Sequence, residues 1–255
     1  WISAEEEAEI VRCIDQAPPI AWTPLRGRRL QSLGGLPQPP PQMMTREPLP
    51  GWVQSICDEL VRSGAFPADT PPNHVLLNEY QPGQGIDAHK DGPLYLPHVA
   101  ILSLNSHAAF LFVEDTVQRA PLTRLLLPPR GLLVFKGDAY EEHLHTVPAV
   151  EADDLTRPEL IRLDATDDAA HNCSDNNTLL PRRRRLSLTV RHVLHSRTPE
   201  EAAQERPSLA EPLPLWKEKQ RLARWLDETP SGYGSSRPSA PAAEEGGSEM
   251  DVELS

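Results

Sequence analysis

Residues 98–114 read His98-Val99-Ala100-Ile101-Leu102-Ser103-Leu104, then Asn105-Ser106-His107, then Ala108-Ala109-Phe110-Leu111-Phe112-Val113-Glu114. Two short β-rich runs broken by a polar triplet have the texture of strands joined by a turn. The same texture extends outward in both directions. Upstream lie His74–Tyr80 and Gly85–His89; downstream lie Leu122–Leu127, Leu132–Lys136 and His143–Val147, with turn residues between them. An eighth run, Arg185–Val193, follows a polar, acidic insert over 149–181 that reads as a mobile loop. Many short strands at near-even spacing predict a mainly β barrel or sandwich of antiparallel strands, not a parallel α/β sheet.

The N-terminal flank is helical. Ser3 and Glu6 fit a capping box, and Ile10, Val11 and Ile14 share one face, which predicts a helix over 4–15 stopped by Pro18-Pro19. Pro50 opens a second pattern, with Trp52, Val53, Ile56, Cys57, Leu60 and Val61 at helical spacing up to Gly64. Between them, Arg26 to Pro48 holds Gly34-Gly35 and Pro39-Pro40-Pro41 and is too rich in breakers to be regular for long. Residues 1–72 are therefore expected as helices and a loop packed on the core, 73–194 as the β domain, and 195–255 as a largely disordered tail. In that tail Leu215, Leu222 and Leu226, with Trp216 and Trp225, predict an amphipathic helix over 213–228 that docks on the domain or binds a protein partner.

Composition narrows the function classes. Hydrophobic residues make up 38% of the 255, and 28 prolines are about twice average usage, so part of the length is loop or tail. No apolar run approaches the roughly 20 residues that would span a bilayer, and no membrane partner is expected. A net charge of -12 argues against a sequence-independent polyanion binder, although 12 acidic against 7 basic residues from Ser196 onward place much of it in the tail. Arg182-Arg183-Arg184-Arg185 remains a local basic patch that suits a phosphate backbone. Cys13, Cys57 and Cys173 are odd in number and lack CxxC spacing, which predicts reduced thiols in a cytoplasmic or nuclear protein. The chain begins at Trp1, so a leading segment is expected before it, and the lack of a signal peptide decides nothing. A monomer is expected.

Three pairs of residues carry chemistry. His89 and Asp91 lie two apart in an extended chain and point to one face. A later third ligand would complete a two-histidine, one-carboxylate triad, which leaves the open positions that non-haem Fe(II) oxygenases need. In Arg185-Leu186-Ser187-Leu188-Thr189-Val190-Arg191, period two separates a polar face (Arg185, Ser187, Thr189, Arg191) from an apolar one. Leucines inward and arginines in solvent is the ordinary arrangement. In a ligand-holding barrel the polar face turns inward instead, and two guanidiniums then need a dicarboxylate. Asn78 and Tyr80 also share a face, offering an amide and a hydroxyl to a bound oxo-acid.

The combination resembles the AlkB family of Fe(II)/2-oxoglutarate dioxygenases, and within it the sixth homologue subfamily, over about residues 1–194. It is carried by Leu33-Gly34-Gly35-Leu36-Pro37, Asn73-His74-Val75-Leu76, Asn78-x-Tyr80-x-Pro82-Gly83-x-Gly85-Ile86, His89-x-Asp91-Gly92-Pro93-Leu94-Tyr95, Ser103-Leu104-x-Ser106-His107 and Ser187-Leu188-Thr189-Val190-Arg191. The resemblance implies a double-stranded β-helix (jelly-roll) core over about 74–193, with the helices outside one sheet. It implies His89 and Asp91 as iron ligands. The distal ligand lies between His143 and His145, and Leu144-His145-Thr146-Val147-Pro148 fits the family pattern, so His145 is preferred. Asn78, Tyr80, Arg185 and Arg191 would hold 2-oxoglutarate, with Arg185 at its distal carboxylate.

Fe(II), 2-oxoglutarate and O2 are the implied cofactors, and the implied reaction removes N-methyl groups from methylated nucleic acid or protein. Succinate, CO2 and formaldehyde would be released. Arg26, Arg28 and Arg29 fall where relatives carry substrate-recognition elements; they touch phosphates or are solvated loop charges. His74, His98, His107 and His171 are expected in structural or surface roles. The alternatives are a catalytically silent jelly-roll binding module and a protein hydroxylase of the same superfamily.

Overall fold

The computed structural model describes residues 1–38, 43–157, 160–162, 178–204 and 252–254. It opens with α1 (Ala4–Asp15), β1 (Thr23–Leu25), β2 (Arg28–Leu33), β3 (Met44–Thr45) and α2 (Gly51–Arg62). Then come β4 (His74–Tyr80), β5 (Ile86–His89), β6 (His98–Leu104), β7 (Ala108–Glu114), β8 (Pro121–Leu127) and β9 (Leu132–Lys136). A short helix, α3 (Asp138–Glu141), leads into β10 (His143–Val147), β11 (Ala152–Asp154), β12 (Leu160–Arg162), β13 (Leu179–Pro181), β14 (Arg185–Arg191) and β15 (Ser196–Arg197). The tail contributes α4 (Pro199–Gln204) and β16 (Val252–Leu254).

Two sheets face each other. The larger has the order β1-β2-β4-β14-β6-β9-β16 and the smaller β12-β8-β7-β10-β5. The chain crosses repeatedly between them: β4 to β5, β6 to β7, β8 to β9, β9 to β10. That alternation, with antiparallel neighbours throughout the eight core strands, is the double-stranded β-helix.

β14 lies at the centre of the larger sheet, and all seven of its residues are buried. Its apolar face, Leu186, Leu188 and Val190, packs against Ile10 and Ile14 of α1 and Val53, Ile56 and Leu60 of α2. The Ser3–Glu6 capping box secures the start of α1, with each side chain bonding the other residue's backbone N–H. Between the sheets lies a second core of Phe110, Phe112, Leu125, Leu127 and Phe135. The polar face of β14 therefore looks into the interior, the less ordinary of the two arrangements.

Three segments are more regular than their composition predicts. Within Arg26–Pro48, β2 pairs with β1 and β4 and so extends the larger sheet, with Leu30 opposite Asn78, and β3 pairs in parallel with β15. Pairing to an existing sheet edge outweighs the local glycines and prolines. The insert over 149–181, expected as a mobile loop, is strand at both ends, where β11 and β13 pair antiparallel, and β12 joins β8. In the tail, expected as largely disordered, α4 and β16 are regular, and β16 adds to the edge at β9. The helix expected over 213–228 lies outside the described residues. No helix of the described residues is long and apolar enough to cross a membrane.

A buried ion pair pins the insert. Asp153 accepts from Arg182 Nε at 2.8 Å and Nη2 at 2.6 Å, with His107 Nε2 3.4 Å away. Replacing Asp153 by Ala strands a buried guanidinium and should lower stability by about 3–5 kcal/mol in urea titration. The double replacement Asp153→Leu with Arg182→Met should recover most of the loss. Equal damage in the single and double variants would show that the pair has no such role.

Candidate metal and co-substrate centre

β5 ends at His89, which lies in register with His145 of β10. His89 Nδ1 donates to the Asp87 carbonyl at 2.8 Å, so its Nε2 keeps a free lone pair. Asp91 follows two residues later, and the ligand atoms of His89, Asp91 and His145 all lie within 4.8 Å of one another. His145 Nε2 is 3.8 Å from Asp91 Oδ1, and the two imidazole centroids are 4.4 Å apart. Phe110 stacks on His145 at 5.5 Å and Phe135 flanks it at 5.3 Å, giving the ring apolar walls. His143, one turn of the pleat away, sits opposite Glu114 and is not in the cluster. Lys90, between the two N-terminal members, is drawn away to Asp115 at 2.9 Å.

The electrostatics favour a divalent cation. Burial, reinforced by His89, pushes His145 down to about 3. Burial also lowers His89, against the pull of Asp91. Burial alone would raise Asp91, but Arg191, His145 and His89 hold it below the ordinary carboxylate range. At neutral pH the trio thus stands as two neutral imidazoles and a carboxylate, the protonation state a metal needs.

The polar face of β14 supplies the rest. Arg191 grips Asp91 through two bonds, Nε to Oδ2 at 3.0 Å and Nη2 to Oδ1 at 2.5 Å. Its guanidinium lies 4.7 Å over the Tyr95 ring, which in turn stacks on His74. His74 is fully buried, pushed down to about 3 by that burial and by Arg191, and lies 2.9 Å from Ser32 Oγ. At the other end of the strand, Arg185 donates to Ser103 Oγ at 2.7 Å and lies 5.7 Å from the Tyr80 ring. Its Nε is buried without a hydrogen-bond partner, and burial brings it down to about 10.

Among the described residues no carboxylate pairs with Arg185. A buried guanidinium left so is costly until an anion meets it. Register sets Tyr80 opposite Arg185 and Asn78 opposite Ser187, so these three of the four sequence candidates share one patch. These donors fit a dicarboxylate.

The three arginines of the N-terminal segment separate. Arg26 is exposed, and Arg29 lies over the Trp22 ring and pairs with Glu79 on the outer face. Arg28 is drawn inward, where its Nε donates to Asn78 Oδ1 at 3.0 Å. From sequence it stood between a phosphate contact and a solvated loop charge. Its signal was the inward spacing it shares with Leu30, two residues on.

Because the histidines stand deprotonated, loading Mn(II) at pH 7 should release close to no protons from this centre. Calorimetry in two buffers of different ionisation enthalpy should give the same heat; release of a proton would contradict this account. His145→Ala should abolish Mn(II) binding, whereas His143→Ala should change it by less than about tenfold, the low end for a group supporting a ligand.

The 2OG-Fe(II) oxygenase superfamily model matches residues 36–191. The "Probable RNA/DNA demethylase ALKBH6" of Danio rerio is 36% identical over 203 residues, spanning 76% of this chain and 82% of that protein. The "tRNA (carboxymethyluridine(34)-5-O)-methyltransferase alkbh8" of Xenopus tropicalis is 29% identical over 155 residues, 59% of this chain and 23% of that protein. Among solved structures, OsALKBH1 superposes with a TM-score of 0.48 at 20% identity, over 75% of this chain and 92% of that one. With over half of the chain matched by the family model, and a relative of such identity along most of both chains, the protein belongs to the 2OG-Fe(II) oxygenase superfamily, among its AlkB-like members, and uses Fe(II), 2-oxoglutarate and O2.

Proposed function

We propose that this protein is an oxidative N-demethylase of methylated nucleic acid. In this reading His89, Asp91 and His145 hold Fe(II), and Asn78, Tyr80, Arg185 and Arg191 hold 2-oxoglutarate. The observation that carries it is the buried Arg185, with no carboxylate partner among the described residues, on the same strand face as the arginine that grips Asp91. The name of the Danio rerio relative supports a nucleic-acid substrate.

The residues divide the work by position. Arg185 and the Tyr80 hydroxyl would take the distal carboxylate, Asn78 would bond the co-substrate alongside them, and Arg191 would lie near the end that chelates iron. Arg191 fixes both oxygens of Asp91, so the carboxylate cannot turn away. Phe110 and Phe135 exclude water beside His145 and hold its ring. Fe(II) supplies the activation of O2 that couples decarboxylation of 2-oxoglutarate to oxidation of a C–H bond. Hydroxylation of an N-methyl group gives an N–CH2OH, which breaks at its C–N bond to release formaldehyde and return the N–H.

Methylated oligonucleotides incubated with Fe(II), ascorbate and 2-oxoglutarate should yield succinate and formaldehyde in equal amounts. Succinate release that no methylated nucleic acid stimulates would sink this reading. With Mn(II) in place of iron, 2-oxoglutarate at 100 times its Kd should add about 2.7 kcal/mol of stability. Lys cannot reproduce the planar fork of arginine, so Arg185→Lys should lose most of that gain. An equal melting shift in both proteins would place Arg185 outside the co-substrate site.

A further inference from the structure

Two bonds lock Arg191 to Asp91, yet they fix only how the two side chains face each other, not where the pair stands. Arginine carries its planar fork on a long flexible stem, so neighbouring groups must hold the guanidinium in place. Two side chains do so. Tyr95 lies under the guanidinium at 4.7 Å, and His74 stands directly across the β4–β14 ladder from Arg191. Cross-strand partners share a face of the sheet. The Tyr95 ring stacks on the His74 ring, with centroids 5.9 Å apart and planes 30° apart. All three side chains are buried.

The His74 ring is itself tethered. Ser32 Oγ lies 2.9 Å from His74 Nε2 and donates to the Gly35 carbonyl at 2.8 Å. A hydroxyl has one hydrogen to give. With that hydrogen spent on Gly35, Ser32 accepts from His74, so the imidazole carries its proton on Nε2 and a bare lone pair on Nδ1. Nδ1 is sealed from solvent and has no hydrogen-bond partner. The far end of the tether is fixed too. Gly35 sits at φ 124°, and a Cβ there would collide with the Thr45 carbonyl oxygen.

The bare lone pair shows what the imidazole is for. A buried acceptor left unpaired is costly, and an apolar ring avoids that cost. A phenyl ring would also stack on Tyr95. What imidazole adds at this position is the bond to Ser32, which fixes the turn of the ring about its Cβ–Cγ bond. The charges of Arg191 and Asp91 both reach His74, so the ring stands close to the pair it backs.

We propose that His74 is a positioning residue for the metal centre: the ring that Ser32 tethers sets the tilt of Tyr95, and Tyr95 sets where Arg191 presents Asp91 to the metal. The proposal rests on the reading in which His89, Asp91 and His145 hold the ion. Groups that orient a metal ligand from behind govern affinity as the ligands themselves do. Here the support runs through Ser32, His74, Tyr95 and Arg191 before it reaches Asp91.

The test separates positioning from stability. Ser32→Ala leaves the His74 N–H buried and bare, so both the melting temperature of the metal-free protein and its Mn(II) affinity should fall, the affinity about tenfold or more. Adding His74→Phe removes that stranded donor, so the double variant should regain most of the lost melting temperature. Its Mn(II) affinity should stay low, because the ring is still untethered, and the zero-field splitting of bound Mn(II) should differ from wild type in both variants. Tyr95→Ala should weaken Mn(II) at least as much, and Ser32→Ala added to it should cost no further affinity, since the two act through one path. Affinity that is unchanged in Ser32→Ala, that recovers together with melting in the double variant, or that falls again when Ser32→Ala is added to Tyr95→Ala overturns the proposal. If the double variant does not fold, the pair built on Tyr95→Ala decides. Mn(II) binding that survives His145→Ala counts against the metal reading instead. A crystal structure of Ser32→Ala then decides without metal: Tyr95, Arg191 and Asp91 should shift, and wild-type places for all three overturn the proposal.

Discussion

Arg191 and Asp91 form the contact on which the centre depends. Both are buried, and each would be costly to bury alone, so the pair holds only while its geometry does. That geometry is set far from the metal. Arg191 is the last residue of a strand paired on both sides, to β4 over seven residues and to β6 over five. The strand's other face is locked into the helices by Leu186, Leu188 and Val190. Packing on α1 and α2 thus fixes where a carboxylate can stand on the opposite side of the sheet.

The same strand explains why one chain builds two separate cores. Helix-facing leucines make the outer core, while the space between the sheets is divided. Phenylalanines fill one part of it, and arginines, serines and histidines line the rest. His145 stands at the border, with aromatic rings beside it and Asp91 within reach. An apolar wall lowers its proton affinity and steadies its ring by one and the same packing.

Much of this was legible in the sequence, for identifiable reasons. Strand periodicity alone put His89 with Asp91, Asn78 with Tyr80 and Arg185 with Arg191, because side chains two apart cannot avoid sharing a face. The ends of α1 and α2 followed from a capping box and from proline, which act within one turn. Periodicity was silent on which face of β14 turns inward, since that depends on helices more than 100 residues away in the chain, such as α1 and α2. The inward placement of Arg28 was hidden for a related reason: Gly34-Gly35 and the prolines after them pointed to an irregular loop, while the edge of β4 was ready to pair with Arg29–Leu33. His74 had no metal-ligand pattern behind it. It matters through stacking on Tyr95 and through Ser32, contacts that only the assembled sheet brings together. Asp153 and Arg182 are similarly distant in sequence, and nothing local shows that the insert is tied down.

The parallel pairing of Met44–Thr45 with Ser196–Arg197 bears on how the centre is held. Met44 is fully buried with Leu94, Tyr95 and Val193, and backbone bonds run from Met44 to His195 and from Arg46 to Arg197. The segment between β2 and α2 is therefore stapled midway, directly behind the tyrosine on which Arg191 rests. Such a staple ties Met44, Tyr95 and the chain just past β14 into one packed unit. Register at this short pairing, far along the chain from the metal ligands, thus helps decide where the ring under Arg191 lies, and so where Asp91 is held.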